Sequence, residues 1–134
     1  MNTKVWLLLQ RAREDLGAAE DVLQIERPWR AATDAYYAIF HAAEALLLSL
    51  GIETSFHSAT QAAFGQQFAR TAKLVPKLHR YFLNAFDKRI TADYDVTVKL
   101  RTEEVAELVG QAREFVAAAE RYLDELLADG GKSH

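Results

Sequence analysis

Residues 28–51 read PWRAATDAYYAIFHAAEALLLSLG, and this stretch constrains the fold more than any other. Proline fits the first position of a helix, where its missing N–H would have had no partner anyway. Gly51 is a natural C-terminal cap for a helix that runs to about Leu50. Between them, Ala31, Ala35, Ala38, Ala42 and Ala45 are small enough to let another helix approach closely, while Tyr36, Phe40, Ala43 and Leu47 supply bulk. A helix that is apolar on more than one face belongs inside a helical protein rather than on its surface.

The flanking sequence extends this pattern. Val5, Leu8, Leu9, Ala12, Leu16, Ala19 and Leu23 recur at helical spacing and predict a first helix over roughly residues 3–25. Residues 52–57 read as a loop. Ser58-Ala-Thr-Gln61 matches a capping box, so a third helix is expected from there to about Arg70, burying Ala62, Ala63, Phe64 and Phe68. Pro76 is expected to open a fourth helix with Val75, Leu78, Phe82 and Phe86 inward. The segment RITADYDVTVKLR, residues 89–101, reads as a frayed helix end and then a loop. Thr102 is expected to cap a last helix, with Glu103 and Glu104 favourable near its positive end. There Val105, Leu108, Val109, Ala112, Val116, Ala119, Leu123 and Leu126 form a stripe. With two prolines, six glycines and no strand-like alternation, the chain reads as all-α. The expected architecture is an up-down antiparallel bundle of four to five helices in one domain, residues 1–127, with a disordered tail over 128–134.

Bulk properties remove several classes of function. Cysteine is absent, which excludes disulfides, thiolate zinc sites and cysteine nucleophiles. The first apolar run is short and charge follows it at once, unlike a secretory signal. No stretch approaches the ~20 apolar residues of a membrane span, so a cytoplasmic protein without membrane association is expected. A net charge of −3 argues against a generally basic nucleic-acid binder. Yet residues 70–101 hold eight Lys/Arg against three acids. That asymmetry fits either an anionic partner or an ordinary solvated helix face.

Arg30, Asp34, Tyr37, His41 and Glu44 fall on one stripe of the second helix, and Arg30–Asp34 and His41–Glu44 are spaced to pair along it. The stripe can be a solvated face, a polar seam in a dimer interface, or a site. In the last case His41 is the candidate catalytic residue, because an imidazole titrates near neutral pH. No metal site is expected. Di-metal centres in bundles use two Glu-x-x-His pairs, whereas His41-x-x-Glu44 runs in the reverse order and no other helix offers a matching set. No cofactor is expected either, since there is no glycine-rich phosphate loop and no nucleophile elbow. His57 reads as a capping histidine at a loop-to-helix junction, His79 as an exposed one beside basic residues, and His134 lies in the tail.

The run from Arg30 to Leu48, RAATDAYYAIFHAAEALLL, followed by Gly51, resembles the characteristic helix of HEPN-domain proteins. Phe56-His57-Ser58, then Phe64 and Phe68, is similar to a second segment of that family, and Arg89-Ile-Thr-Ala-Asp-Tyr94 to the R-x-x-A-D-Y signature of a small stand-alone subfamily. The resemblance covers residues 1–127. It implies a helical bundle that usually forms a homodimer in the cytoplasm of a prokaryote. It also implies a partner, a minimal nucleotidyltransferase from an adjacent gene, in a toxin–antitoxin-like pair. Many members are metal-independent RNases whose motif is an Arg followed four to six residues later by a His. Here Asp93 and Tyr94 follow Arg89 at that place, and Asp34 stands where relatives often carry Arg. Two readings of Arg89, Asp93 and Tyr94 stay open: a structural lock that anchors the loop, or part of a polar cleft shared with Arg30, Asp34, Tyr37, His41 and His57. For the chain as a whole the reading is a dimeric binding partner of the nucleotidyltransferase, taking nucleotide or RNA without strong catalysis. The alternative is an RNase or RNA-binding toxin, and a plain small-molecule-binding bundle has no residue cluster behind it.

Overall fold

The computed structural model describes residues 2–132, with side chains through residue 129. Five α-helices follow one another: α1 (Thr3–Gln24), α2 (Pro28–Ser49), α3 (His57–Phe64), α4 (Lys77–Tyr94) and α5 (Thr102–Lys132). A single π-helical turn, Gly65–Ala69, continues α3, and no strand occurs among the described residues. Short connections between long helices make neighbours antiparallel, as in other bundles. No helix among the described residues is long and apolar enough to cross a membrane.

α2 is the hub. It packs against α1, α4, α5 and α3, and eleven of its 22 residues are buried. The alanines at 31, 35, 38, 42 and 45 are fully buried, joined by Ala32 and Ala43. Pro28 stands in the first turn, as expected. The helix closes in a Schellman motif, with Ile52 N–H donating to the Leu47 carbonyl and Gly51 N–H to that of Leu48. Gly51 has φ +79°, which glycine adopts without strain. The α1–α2 turn repeats this motif with a different residue: Arg27 N–H donates to Val22 and Glu26 N–H to Leu23, and Glu26 sits at φ 58°. Here a side-chain-bearing residue occupies the left-handed position.

An aromatic core joins the remaining helices to α2. Phe64 lies tilted against Phe115 at 5.1 Å and edge-on to Phe82 at 6.0 Å, and Phe82 lies 6.2 Å from Tyr36. All of these are buried, and each such ring contributes about 1.5–3 kcal/mol by leaving water. The α5 stripe is buried from Val105 to Leu123, with Leu126 at its margin.

Several local expectations need correction. α3 begins at His57, and its N-cap is Phe56 without a side-chain bond, so Ser58 caps nothing. The core claims Gln61, because it shares a face with Phe64 and Phe68 and is buried with them. Ala62 points outward and Ala63 is half-buried, while Thr60 is enclosed and holds Thr54 at 2.5 Å. The helix widens to a π turn at Gly65, where a Cβ would meet the His79 ring at 2.7 Å. His79 is therefore half-buried against α3, also 6.2 Å from Phe64, rather than exposed. Val75 is exposed, since it precedes α4 and lies outside its inward face. α4 stays helical through Tyr94. At α5 the cap comes from Glu104, whose carboxylate accepts the Arg101 N–H at 2.8 Å, and Thr102 is already helical. α5 continues through Lys132, into the segment expected to be a tail. Ser133 and His134 lie outside the described residues.

Candidate functional site

The stripe on α2 is half-buried from Asp34 to Glu44. α1 covers it on one side and contributes Asp15. His41 Nδ1 lies 2.7 Å from Asp15 Oδ2, and its Nε2 lies 4.0 Å from Glu44. Asp15 is also 3.7 Å from Arg11 on its own helix. A carboxylate behind Nδ1 holds the proton there in the neutral ring, so the free lone pair is on Nε2. This orients His41 as a base.

α3 brings His57 to the other side, where it is not a cap. Its ring stacks on Phe40 at 4.5 Å, and its Nδ1 lies 2.5 Å from the Tyr36 hydroxyl. Burial pushes the Tyr36 hydroxyl up to about 12, so it keeps its proton and donates to Nδ1 of neutral His57. The His57 proton then resides on Nε2. Burial, and after it the nearby charges of Arg89 and His41, hold His57 below the usual histidine range. At neutral pH the pair is therefore an uncharged phenol and an uncharged imidazole.

α4 supplies the cation. Arg89 extends over the rings of Tyr36 and Tyr37, 5.6 and 5.5 Å from their centroids. Its Nε is 3.1 Å from Asp93 Oδ2, close enough for an ion pair, but the N–H does not point at that oxygen. The result is a buried Nε–H without a hydrogen bond beside a carboxylate that attracts it only through charge. Asp93 accepts from Thr33 of α2 at 3.1 Å, which ties the end of α4 to α2. Gln61 lies close enough to lower the Tyr36 hydroxyl slightly, yet its Nε2 is buried without a well-formed hydrogen bond.

The cluster is electrically lopsided. Asp15, Asp34 and Glu44 line the α1 side. Asp34 is held above the usual carboxylate range by burial and then by Asp15, against the opposing pull of Arg30. Glu44 is raised by burial, opposed by His41. Arg89, within ion-pair distance of Asp93, and neutral His57 occupy the other side.

Of the residues expected to form a site, the fold gathers Asp34, Tyr37, His41, His57, Arg89 and Asp93. Tyr37 joins the two histidines, stacked 5.9 Å from His41 and edge-on 6.1 Å from His57. Arg30 is not part of the cluster. It is exposed, lies 4.9 Å over the Trp29 ring, and makes no close ion pair with Asp34. Tyr94 is 72% exposed and anchors nothing; the contacts that tie α4 to α2 here run through Arg89, Asp93 and Thr33 without it. Asp95, the other acid offered to Arg89, turns into its own loop and accepts from the Thr97 N–H and hydroxyl. Sequence reasoning passed over Asp15 and took Tyr36 only as bulk. A weak signal existed for Asp15, since it lies between the apolar positions Ala12, Leu16 and Ala19 at the edge of the buried face. Among the described residues no three His, Cys, Asp or Glu are grouped to hold a metal ion.

Residues 5–122 match the model of the HEPN domain. The chain belongs to the HEPN domain family. It is 36% identical over 117 residues to a "UPF0332 protein" of Thermotoga maritima, covering 87% of this chain and 89% of that one. It is also similar to two proteins of Methanocaldococcus jannaschii. With "Putative toxin MJ0142" it shares 32% identity over 87% of this chain and 79% of the relative. With "Putative toxin MJ0605" the identity is 31%, over 92% of each. The match spans all the helices that build the His41–His57–Arg89 cluster.

Proposed function

We propose that this HEPN chain is the toxin-like member of a two-component pair. It acts in the cytoplasm as a homodimer, with a minimal nucleotidyltransferase as its partner, and binds nucleotide or RNA through the Arg89 side of the cluster. The observation that carries the reading is the position of Arg89. A guanidinium held at the half-buried edge of the cluster, over the partly open ring of Tyr37 and near a neutral histidine, is suited to a phosphate next to a base stacked on that ring. The toxin names of two relatives support the role, and the family resemblance supports the partner. Titration calorimetry with the nucleotidyltransferase encoded beside it, and with single-stranded RNA at several salt concentrations, tests both halves. The expected result is a complex with the former. RNA affinity should fall with salt and drop about tenfold in Arg89→Met. No complex with either ligand overturns the reading.

A second reading, a metal-independent RNase, has its own support. The Arg-to-His spacing is missing from the chain, yet Arg89 and two histidines meet in space. In that mechanism His41 Nε2 takes the proton of a ribose 2′-hydroxyl, whose oxygen bonds to the adjacent phosphorus as the bond to the 5′-oxygen breaks; His57 Nε2–H protonates that leaving oxygen, and Arg89 steadies the phosphate. RNA cleavage that survives His41→Ala combined with His57→Ala would exclude it.

A further inference from the structure

The end of the bundle farthest from α3 carries a second concave feature. The α1–α2 turn and the α4–α5 loop face one another there around a cavity of about 660 Å³. Trp29, Ala92, Val96, Val98 and Leu100 form its apolar lining. Val96 is 97% exposed, Val98 48% and Trp29 49%, with Ile25 open to solvent beside them. Contiguous exposed side chains of this size on a folded domain mark an interaction surface.

The rim is cationic. Arg27 and Lys99 line the cavity, and Arg30 covers one face of Trp29. None of the three forms an ion pair among the described residues. Two acids also lie on the rim. Asp95, which accepts from Thr97 in its own loop, and Glu26 set two negative charges against the three positive ones of Arg27, Arg30 and Lys99, and Arg27 also donates to the Ile25 carbonyl at 3.3 Å.

We propose that this end is a docking surface for a segment of another protein that presents one or two large apolar side chains flanked by carboxylates. The apolar residue fills the cavity against Trp29, Val98 and Leu100, and the carboxylates reach Arg27, Arg30 and Lys99. A second copy of this chain fits less well. Two-fold pairing sets the same patch against itself, and with three cations against two carboxylates in each copy it would leave an excess of like charge on both sides of the seam. Single-stranded RNA would use Trp29 and the cations, but it has no use for a lining of valine and leucine.

Selection of random linear peptides on the full chain, followed by fluorescence anisotropy with the enriched peptides, tests the proposal. The expected consensus is a large apolar residue beside Asp or Glu. Binding should weaken at least about tenfold in Val98→Asp and severalfold in Arg27→Glu/Arg30→Glu. It should be unchanged in Val75→Asp, at the opposite end of α4. Val96→Asp repeats the readout should Val98→Asp unfold early. The proposal is overturned if no sequence is enriched, or if enriched peptides bind Val98→Asp as tightly as wild type. It is equally overturned if Val98→Asp converts a dimer to monomers, or if the loss in that variant is of a uridine oligonucleotide instead.

Discussion

The middle of α2 and the far end of the bundle use similar residue types to opposite effect. Both combine aromatic rings with arginine, an acid and aliphatic neighbours. Around Tyr36 every ring has a partner, and the charged groups answer one another across three helices: Asp15 on α1, His41 on α2, Arg89 and Asp93 on α4. At the far end Trp29 and Val98 are about half exposed, Arg27 and Arg30 form no close ion pair, and Glu26 strains the turn. The first region is pre-organised, which suits chemistry or recognition of a small anionic group. The second has unsatisfied apolar and charged surface, which suits association.

The largest expected effect separates the two directly. Tyr36→Ala removes a fully buried ring and its bond to His57, and should cost about 3–5 kcal/mol in urea unfolding. Tyr36→Phe, which keeps the ring, should cost about 1–2 kcal/mol. Trp29→Ala should cost less than about 1 kcal/mol. Equal losses for Tyr36→Ala and Trp29→Ala would break the contrast.

Strain at the open end is tested by Glu26→Gly. A glycine at the left-handed position should raise stability by about 0.5–1 kcal/mol, while the same exchange at a helical residue such as Glu14 lowers it. A loss at position 26 would mean that the Glu26 side chain makes a compensating contact.

Proton linkage gives the smallest effects and probes the cluster alone. The folded state favours neutral His57, so His57 adds stability that is fully present above about pH 6.5. That contribution is lost as pH falls through its lowered folded value. Asp34 and Glu44 act in the opposite sense. Their raised values mean that stability present below about pH 4 declines as pH rises and they ionise. NMR titration should find His57 below a free histidine, and Arg89→Met should move it back upward. Asp34→Asn should add up to about 1 kcal/mol at pH 7.

Much of the fold is legible in the chain because its signals are local. Pro28, Gly51 and the α5 stripe act through backbone geometry and periodicity, and all three stand where the sequence puts them. The failures share a cause. Ser58-Ala-Thr-Gln61 satisfies a local rule, but the burial of Phe64 and Phe68 rotates Gln61 into the core, and the tertiary term outweighs a cap. Tyr94 reads as an anchor from its neighbours in sequence, yet the last turn of α4 turns it to solvent. Arg30 and Asp34 have pairing distance along the helix, but Arg30 is drawn to Trp29.

The sequence by itself determines that α2 is a buried, alanine-faced helix in an all-α bundle, and that Arg89 and Asp93 lie one helical turn apart. Those outcomes depend on spacing within a single segment. Only the tertiary structure decides that Asp15 stands behind His41, that His57 meets Tyr36, and that Arg89 crosses both tyrosines. Each of those contacts joins residues 21 or more apart in the chain, where no local periodicity reports the distance and packing alone sets which faces meet.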